Sequence, residues 1–159
     1  MIEVKNLTTK PVKEKFIIKI VAQVLKGEKR KEENLSIALV GQGRIRALNK
    51  RYRGKNRVTD VLAFGQEQPQ PIFNGLGCPA LIKGLWQKFP ILPKSELGLG
   101  ELVICLREVK KNAKRYETTF EKELTKVLIH GTLHLLGYDH EKSEQEAERM
   151  RKKEEYYLS

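Results

Sequence analysis

The chain is poor in the residues that mark secreted and membrane proteins. It contains two cysteines, Cys78 and Cys105, in 159 residues, and such a pair does not make a disulfide framework. No apolar run approaches the roughly 20 residues that a membrane-spanning helix needs, and the first residues lack the apolar core of a secretory signal. We therefore expect a cytoplasmic protein with reduced thiols and no membrane partner.

Acidic residues are outnumbered by basic ones. The chain has 31 Lys and Arg against 20 Asp and Glu, which gives a formal net charge of +11. An excess of this size favours a polyanionic partner such as nucleic acid, and a generically basic surface is the alternative. The shortage of acidic residues is greatest in residues 35–59, which contain no Asp or Glu. They contain seven basic residues: Arg44, Arg46, Lys50, Arg51, Arg53, Lys55 and Arg57. As a group, these side chains indicate an anionic partner.

Hydrophobic periodicity alternates between strand and helical spacing along the chain. Strands are predicted over residues 2–7, 35–40, 58–64 and 102–106. Helices are predicted over residues 11–26, 42–52, 108–116, 119–136 and 143–156. We expect the last helix to be mostly solvated. This mixture, in a length that suits a single domain over residues 1–159, predicts an α+β or α/β fold with helices packed on a small mixed sheet.

Residues 65–100 differ in composition from the rest of the chain. They hold five of the six prolines and six of the twelve glycines, and they show no sustained periodicity. We therefore predict a long loop or insertion between the strands on either side. A lid over a site and an insertion without a role are equally consistent with this composition.

All three histidines lie within residues 130–140. His130 and His134 are four residues apart, so on a helix they project from the same face, at the edge of its apolar stripe. Gly137 can adopt a positive φ without steric cost and end the helix. The chain can then turn back and bring His140 beside the other two. Histidines that merely cap and flank a helix are the alternative.

Three neutral imidazoles at this spacing suit a zinc ion with an open fourth position for water. A structural zinc site is usually closed by four protein ligands. In that alternative, Cys78 or Cys105 would take the fourth position in place of water. We predict the open, catalytic kind, because Cys105 lies within a predicted strand and nothing in the sequence places Cys78 nearby. Metal-assisted hydrolysis is the chemistry that such a site supports.

The spacing of the three histidines equals that of the zinc-protease motif H-E-x-x-H-x-x-G-x-x-H. The second residue of that motif is the glutamate that acts as general base, and here it is Gly131. Glycine cannot accept a proton, so the ligand cage is protease-like while the proteolytic base is missing. Asp139, beside His140, has two alternative roles, either at the metal site, as an outer-sphere carboxylate or a general base, or as a cap of the turn.

Residues 130–140 resemble the signature H-G-x-L-H-L-x-G-Y-D-H of the endoribonuclease YbeY family. Two further blocks agree with that family. Residues 49–55, followed by 59–64, resemble N-x-x-Y-R-x-K and T-D/N-V-L-S-F-P, and residues 99–104 resemble the strand L-G-D-I-x-I. The order and spacing fit, so the resemblance covers most of the chain between residues 35 and 140.

This resemblance implies a zinc-dependent, single-strand-specific endoribonuclease. It implies a role in maturing the 3′ end of small-subunit ribosomal RNA and in ribosome quality control. It implies one zinc ion on His130, His134 and His140, and a functionally important arginine at Arg53. It also implies helices around a mostly parallel sheet that is zinc-protease-like near the metal.

We therefore expect hydrolysis of single-stranded RNA, with Arg53 orienting the scissile phosphate or stabilising its developing charge. Five neighbouring side chains are expected to guide the RNA strand: Arg44, Arg46, Arg51, Lys55 and Arg57. Two alternatives belong to other classes of protein. One is a non-catalytic ribosome-assembly factor that binds RNA and uses zinc structurally. The other is a zinc peptidase, against which Gly131 argues. The sequence leaves the oligomeric state open.

Overall fold

The structure, a computed structural model, describes residues 1–65 and 98–159. Within these residues, four strands and five helices mix along the chain as the sequence predicts. The strands are β1 (Ile2–Asn6), β2 (Leu35–Leu39), β3 (Val61–Gly65) and β4 (Gly100–Ile104). The helices are α1 (Glu14–Gly27), α2 (Gln42–Arg53), α3 (Leu106–Arg115), α4 (Phe120–Leu135) and α5 (Glu144–Leu158).

The four strands form one mixed sheet in the order β1-β2-β4-β3. β1 pairs parallel with β2, and β2 pairs parallel with β4, whereas β3 runs antiparallel to β4. Every residue of β2 and β4 is buried. Their largely apolar sequences follow from this position, because central parallel strands are covered on both faces. The predicted small, mostly parallel sheet with packed helices is confirmed.

Alternate residues of β2 serve two separate cores. Leu35, Ile37 and Leu39 pack in the main core with buried side chains of α1 and α4. Ala38 points to the opposite face and packs in a smaller core that includes Ile45 of α2. Because successive side chains of a strand point to opposite faces, a five-residue strand joins α1 and α4 on one side of the sheet to α2 on the other.

Helix α4 packs closely against the sheet at a glycine. It contacts α1, α3 and α5 as well as β3 and β4. A Cβ atom added at Gly131 would lie 2.8 Å from a Leu102 methyl group of β4 and 3.3 Å from a Val61 methyl group of β3. A glycine therefore permits a helix-to-sheet approach that any other residue would obstruct.

The element boundaries differ by up to three residues from those predicted. Helix α1 begins at Glu14 rather than at residue 11. Strand β3 begins at Val61 rather than at residue 58, because Asp60 caps it: the Val61 backbone N–H donates to Asp60 Oδ1 at 2.8 Å. Helix α5 is mostly exposed, as predicted, but it buries Met150 and Tyr157, so it is also a packed element of the fold.

Most of the loop predicted at residues 65–100 lies outside the described residues. Residue 65 itself ends β3 and residue 100 begins β4, and these two ends pair with each other in the antiparallel ladder. Among the described helices, none has both the length and the apolar character that crossing a membrane requires.

The contact at Gly131 makes a testable prediction for stability. Replacing Gly131 with Ala should lower the free energy of unfolding by about 1–2 kcal/mol. Overpacking of this kind costs about 1–3 kcal/mol, and the higher helix propensity of Ala offsets up to about 1 kcal/mol of it. Urea unfolding followed by circular dichroism measures the change.

Gly43→Ala is the matched control, because Gly43 is an exposed residue of α2 and, among the described residues beyond its own helix backbone, no atom would lie within 4 Å of a Cβ added there. We expect that variant to keep or slightly raise the wild-type stability. Equal stabilities for the two variants would contradict the close approach of α4 to the sheet.

Candidate metal centre

The histidine-bearing segment folds as a capped helix followed by a glycine turn. Helix α4 begins after Thr119, whose side chain accepts a hydrogen bond from the Lys122 backbone N–H at 3.2 Å. The helix ends at Leu135, and Gly137 adopts a φ of +93°. Among the described residues other than its chain neighbours, no atom lies within 4 Å of a Cβ added at Gly137, so the left-handed backbone is what requires glycine here. The predicted turn at Gly137 is confirmed.

This turn brings the three imidazoles together. The ring centroids of His130 and His134 are 4.6 Å apart, and His140 lies 5.3 Å from the first and 5.0 Å from the second. One nitrogen of each ring lies within 4.8 Å of the other two. A tetrahedral zinc with Zn–N bonds of about 2.0–2.1 Å holds its nitrogens roughly 3.3 Å apart. The separation of at most 4.8 Å is therefore close to the spacing that a common ion would require.

The electrostatics of the cluster also suit a metal. Burial, with smaller contributions from the neighbouring imidazoles of His130 and His140, lowers the pKa of His134 to about 4. The ring of His134 is therefore neutral at neutral pH, which is the form that binds a metal. Within residues 1–65 and 98–159, no cysteine or carboxylate joins the three rings in a ligand cluster. His140 is exposed, so the described part of the site is open on one side.

A carboxylate from α5 contacts the cluster. Nδ1 of His130 lies 2.6 Å from Oε1 of Glu154. With Nδ1 occupied by this contact, Nε2 is the nitrogen of His130 that remains for a metal. Asp139, in contrast, accepts a hydrogen bond from the Glu141 backbone N–H at 2.9 Å. Of the two roles considered for Asp139, this contact is that of a turn cap.

The turn is also tied to the rest of the fold through Glu28. The hydroxyl of Tyr138 donates to Glu28 Oε2 at 2.8 Å. The hydroxyl of Tyr157 and the ammonium of Lys153 both donate to Glu28 Oε1 at 2.7 Å. Burial raises the pKa of Glu28, but these three hydrogen bonds outweigh it and the net pKa lies below its ordinary value. Glu28 thus joins the end of α1, helix α5 and the residue that follows Gly137.

A cleft of about 840 Å³ opens beside the histidine cluster. His134 and His140 line it, and so do Arg53 and Lys55 from the end of α2. Two further cations lie along the same cleft, Arg30 and Lys142, together with the acids Glu33, Asp139 and Glu141. No sequence pattern points to Arg30 or Lys142, because neither belongs to a motif and both lie outside residues 35–59.

The structure separates the predicted RNA-binding residues into two groups. Lys55 lines the cleft beside Arg53, since Gly54 ends α2 with a φ of +67° and turns the chain there. The other four are not among the described residues that line the cleft: Arg44, Arg46, Arg51 and Arg57. Arg46 donates to Asn56 Oδ1 at 2.9 Å, and the guanidinium of Arg51 lies 5.5 Å from the centre of the Tyr52 ring. Their contact with RNA stays a prediction.

Comparisons with known proteins point to one family. The family model described as Endoribonuclease YbeY matches residues 3–159. A protein named Endoribonuclease YbeY from Thermodesulfovibrio yellowstonii is 41% identical over 125 residues, which cover 79% of this chain and 65% of that protein. Another of that name, from Thermotoga neapolitana, is 36% identical over 149 residues, which cover 92% of this chain and 81% of that protein.

The fold has a counterpart among solved structures. The solution structure of a Thermotoga maritima protein superposes with a TM-score of 0.58 at 28% sequence identity. The superposition covers 99% of this chain and 87% of that one. The similarity therefore extends over the full arrangement of helices and sheet, and not only over the histidine motif.

The Glu28 contacts make stability depend on pH. The folded-state pKa of Glu28 is lowered, so its contribution is present above the unfolded-state pKa and is lost as pH falls through the folded-state value. Glu28→Gln should cost about 1–2 kcal/mol at pH 7, because hydrogen bonds to a charged group contribute about that much. The difference from wild type should shrink as the pH falls through the unfolded-state and then the lowered folded-state pKa of Glu28, because the carboxylate becomes protonated. Unfolding in urea across a pH series measures it.

Glu32→Gln removes the same charge from an exposed side chain on the same connection, and it should change stability little at any pH. A Glu28→Gln penalty that stays constant down to acid pH would contradict the role given to the carboxylate.

Proposed function

The chain belongs to the endoribonuclease YbeY family, and from this premise we propose that it hydrolyses single-stranded RNA at a zinc ion held by His130, His134 and His140. One observation carries the proposal. One nitrogen of each of the three imidazoles lies within 4.8 Å of the other two, and His134 and His140 share one cleft with Arg53 and Lys55. A site for a metal and a site for phosphate therefore adjoin each other, which is the combination that hydrolysis of a phosphodiester needs.

The three histidines fit zinc by their chemistry. They offer three imidazole nitrogens, and among the described residues no cysteine or carboxylate joins them in a ligand cluster. A zinc ion in such a site supplies a water of lowered pKa and polarises a phosphoryl oxygen. The protein contributes the orientation of the rings and the cleft that admits the substrate.

Arg53 is the residue that we assign to the scissile phosphate. Its guanidinium offers a planar set of N–H donors that match phosphate oxygens in pairs. Arg53 is the last residue of α2, and it lines the cleft together with His134 and His140. In this position it orients the phosphate and stabilises the negative charge that develops during cleavage.

Other cations bind the flanking nucleotides in this proposal. Lys55 on the Arg53 side, and Arg30 and Lys142 elsewhere along the cleft, contact the backbone near the cleavage point. The more distant arginines, Arg44, Arg46, Arg51 and Arg57, attract and guide the strand by charge, which acts over several ångströms beyond contact. The substrate that fits the family resemblance is the 3′ region of small-subunit ribosomal RNA, and the small ribosomal subunit in the cytoplasm is the proposed partner.

The alternatives gain no support from the described residues. A peptidase of the zinc-protease kind needs its general base at position 131, and that position faces Leu102 and Val61 of the sheet. A structural zinc site needs a fourth protein ligand. Cys105 is buried between β4 and α3 and is not part of the histidine cluster, while Cys78 lies outside the described residues.

Two variants test the proposal. His130→Ala should reduce cleavage of a single-stranded RNA to background, because it removes a metal ligand. Arg53→Ala should lower kcat by about 100-fold, the loss expected for one donor to a developing charge, while zinc content stays at the wild-type level. Cleavage is followed with a labelled RNA, alone and annealed to its complement, and zinc by mass spectrometry of the purified proteins.

Two controls separate catalysis from attraction of the strand. Arg46→Ala should raise KM and flatten its salt dependence with kcat unchanged, as loss of a phosphate contact does. Lys19→Ala, an exposed residue of α1, should alter neither parameter. Unchanged cleavage by purified His130→Ala protein, or loss of zinc from Arg53→Ala, would count against the assigned roles.

A further inference from the structure

We propose that Glu154 is a positioning residue of the metal centre, which holds the His130 imidazole with Nε2 directed to the metal and so makes α5 part of the site. The inference rests on the metal binding put forward above, and it concerns a residue that belongs to none of the sequence motifs. It deepens that proposal by assigning a function to the C-terminal helix.

The contact itself is specific to one ligand. Oε1 of Glu154 is 2.6 Å from Nδ1 of His130, and about a third of each side chain is exposed. Within residues 1–65 and 98–159, His130 is the one ligand of the three whose ring nitrogen has a hydrogen-bonding side chain. A carboxylate on Nδ1 selects the tautomer that carries its proton there, so the lone pair of Nε2 is left for the metal.

His130 needs such a partner more than a core residue would. It lies at the rim of α4, where its ring is partly exposed and packing alone does not determine which nitrogen faces the cluster. An imidazole turned over about its long axis would present the wrong nitrogen or move it out of reach. The carboxylate removes that freedom before the metal arrives, and a preorganised ligand binds more tightly than a mobile one.

Glu154 is in turn held by the packing of α5. Met150, one turn before it, is 1% exposed, and Tyr157, three residues after it, is 9% exposed. The neighbouring Lys153 and Tyr157 both donate to Glu28 Oε1 at 2.7 Å. Because Glu28 also accepts from Tyr138, one helix supports both ends of the ligand set: His130 through Glu154, and the His140 turn through Glu28.

Other glutamates of α5 show that a negative charge on this helix is not sufficient for a contact with His130. Glu148 pairs with Arg151 and Lys152 on the same helix. Glu155, the next residue after Glu154, is exposed. Glu155→Ala therefore removes the same charge and the same side-chain length from the adjacent position, and it is a matched control for Glu154→Ala.

The test is the zinc affinity of the full-length protein, measured by competition with a chromophoric chelator at fixed pH. Glu154→Ala should bind zinc about 10–100-fold more weakly than wild type, the loss typical of an outer-sphere partner. Glu154→Gln keeps an acceptor oxygen at the same reach and should lose less. Glu155→Ala should bind as the wild type does. Equal affinity of wild type and Glu154→Ala would overturn the proposal, and so would a Glu154→Gln variant as weak as Glu154→Ala.

Two further readouts exclude a merely structural effect. The melting temperature of the metal-free proteins should be nearly the same for Glu154→Ala and Glu155→Ala, while the rise on adding zinc should be smaller for the first. In the zinc-loaded wild type, the Nδ1 proton of His130 should be visible by ¹⁵N-edited NMR and should be lost to exchange in Glu154→Ala. If Glu154→Ala is unfolded without metal, Glu154→Gln takes its place in the affinity comparison.

The outcomes also separate this inference from the proposed function. If wild type binds zinc and does not cleave RNA, the nuclease proposal fails, and the affinities still decide the role of Glu154. If wild type cleaves RNA and all four proteins bind zinc equally, the nuclease proposal stands and this inference fails. If wild type binds no zinc, both fail.

Discussion

The close contact between α4 and the sheet at Gly131 is the constraint on which the site depends. The missing side chain lets the helix approach Leu102 and Val61 closely, and with this face against the sheet, the neighbouring His130 and, one turn later, His134 project at the rim. The same position carries the general base in the zinc-protease motif. Here it faces the sheet and not the metal ligands. The glycine that permits the packing therefore also removes the protease chemistry, and the ligand cage is free for a different substrate.

Contacts from outside α4 complete the arrangement. The positive φ of Gly137 turns the chain so that His140 meets the other two rings, and Glu28 holds the residue that follows this glycine. The remaining contact comes from Glu154 on α5. Helices far apart in the sequence thus determine the geometry of three ligands that lie within eleven residues. Metal affinity in this fold is expected to depend on tertiary packing as much as on the motif, because a preformed site exists only in the folded chain.

The features that can be predicted from the sequence are those formed by residues close together in the chain. The four-residue spacing of His130 and His134, the glycine turn and the apolar run of β2 each involve neighbours in the chain, and all three appear in the structure. The role proposed for Arg53 came from the family resemblance, since periodicity alone does not tell which turn of α2 borders the cleft. Glu154 was not predictable, because it is one of several glutamates on a charged helix and its partner lies 24 residues earlier. The burial of Met150 and Tyr157 was not predicted for the same reason, because it depends on the elements against which α5 packs and not on the composition of α5.

The central claim is that three histidines hold one metal ion in a site that the protein leaves open. The most direct measurement is the metal content of protein purified without a chelating resin, combined with X-ray absorption at the zinc edge. The account predicts one zinc per chain, with three imidazole ligands and no sulfur in the first coordination shell. Absence of stoichiometric metal, or a cysteine sulfur among the ligands, would contradict it.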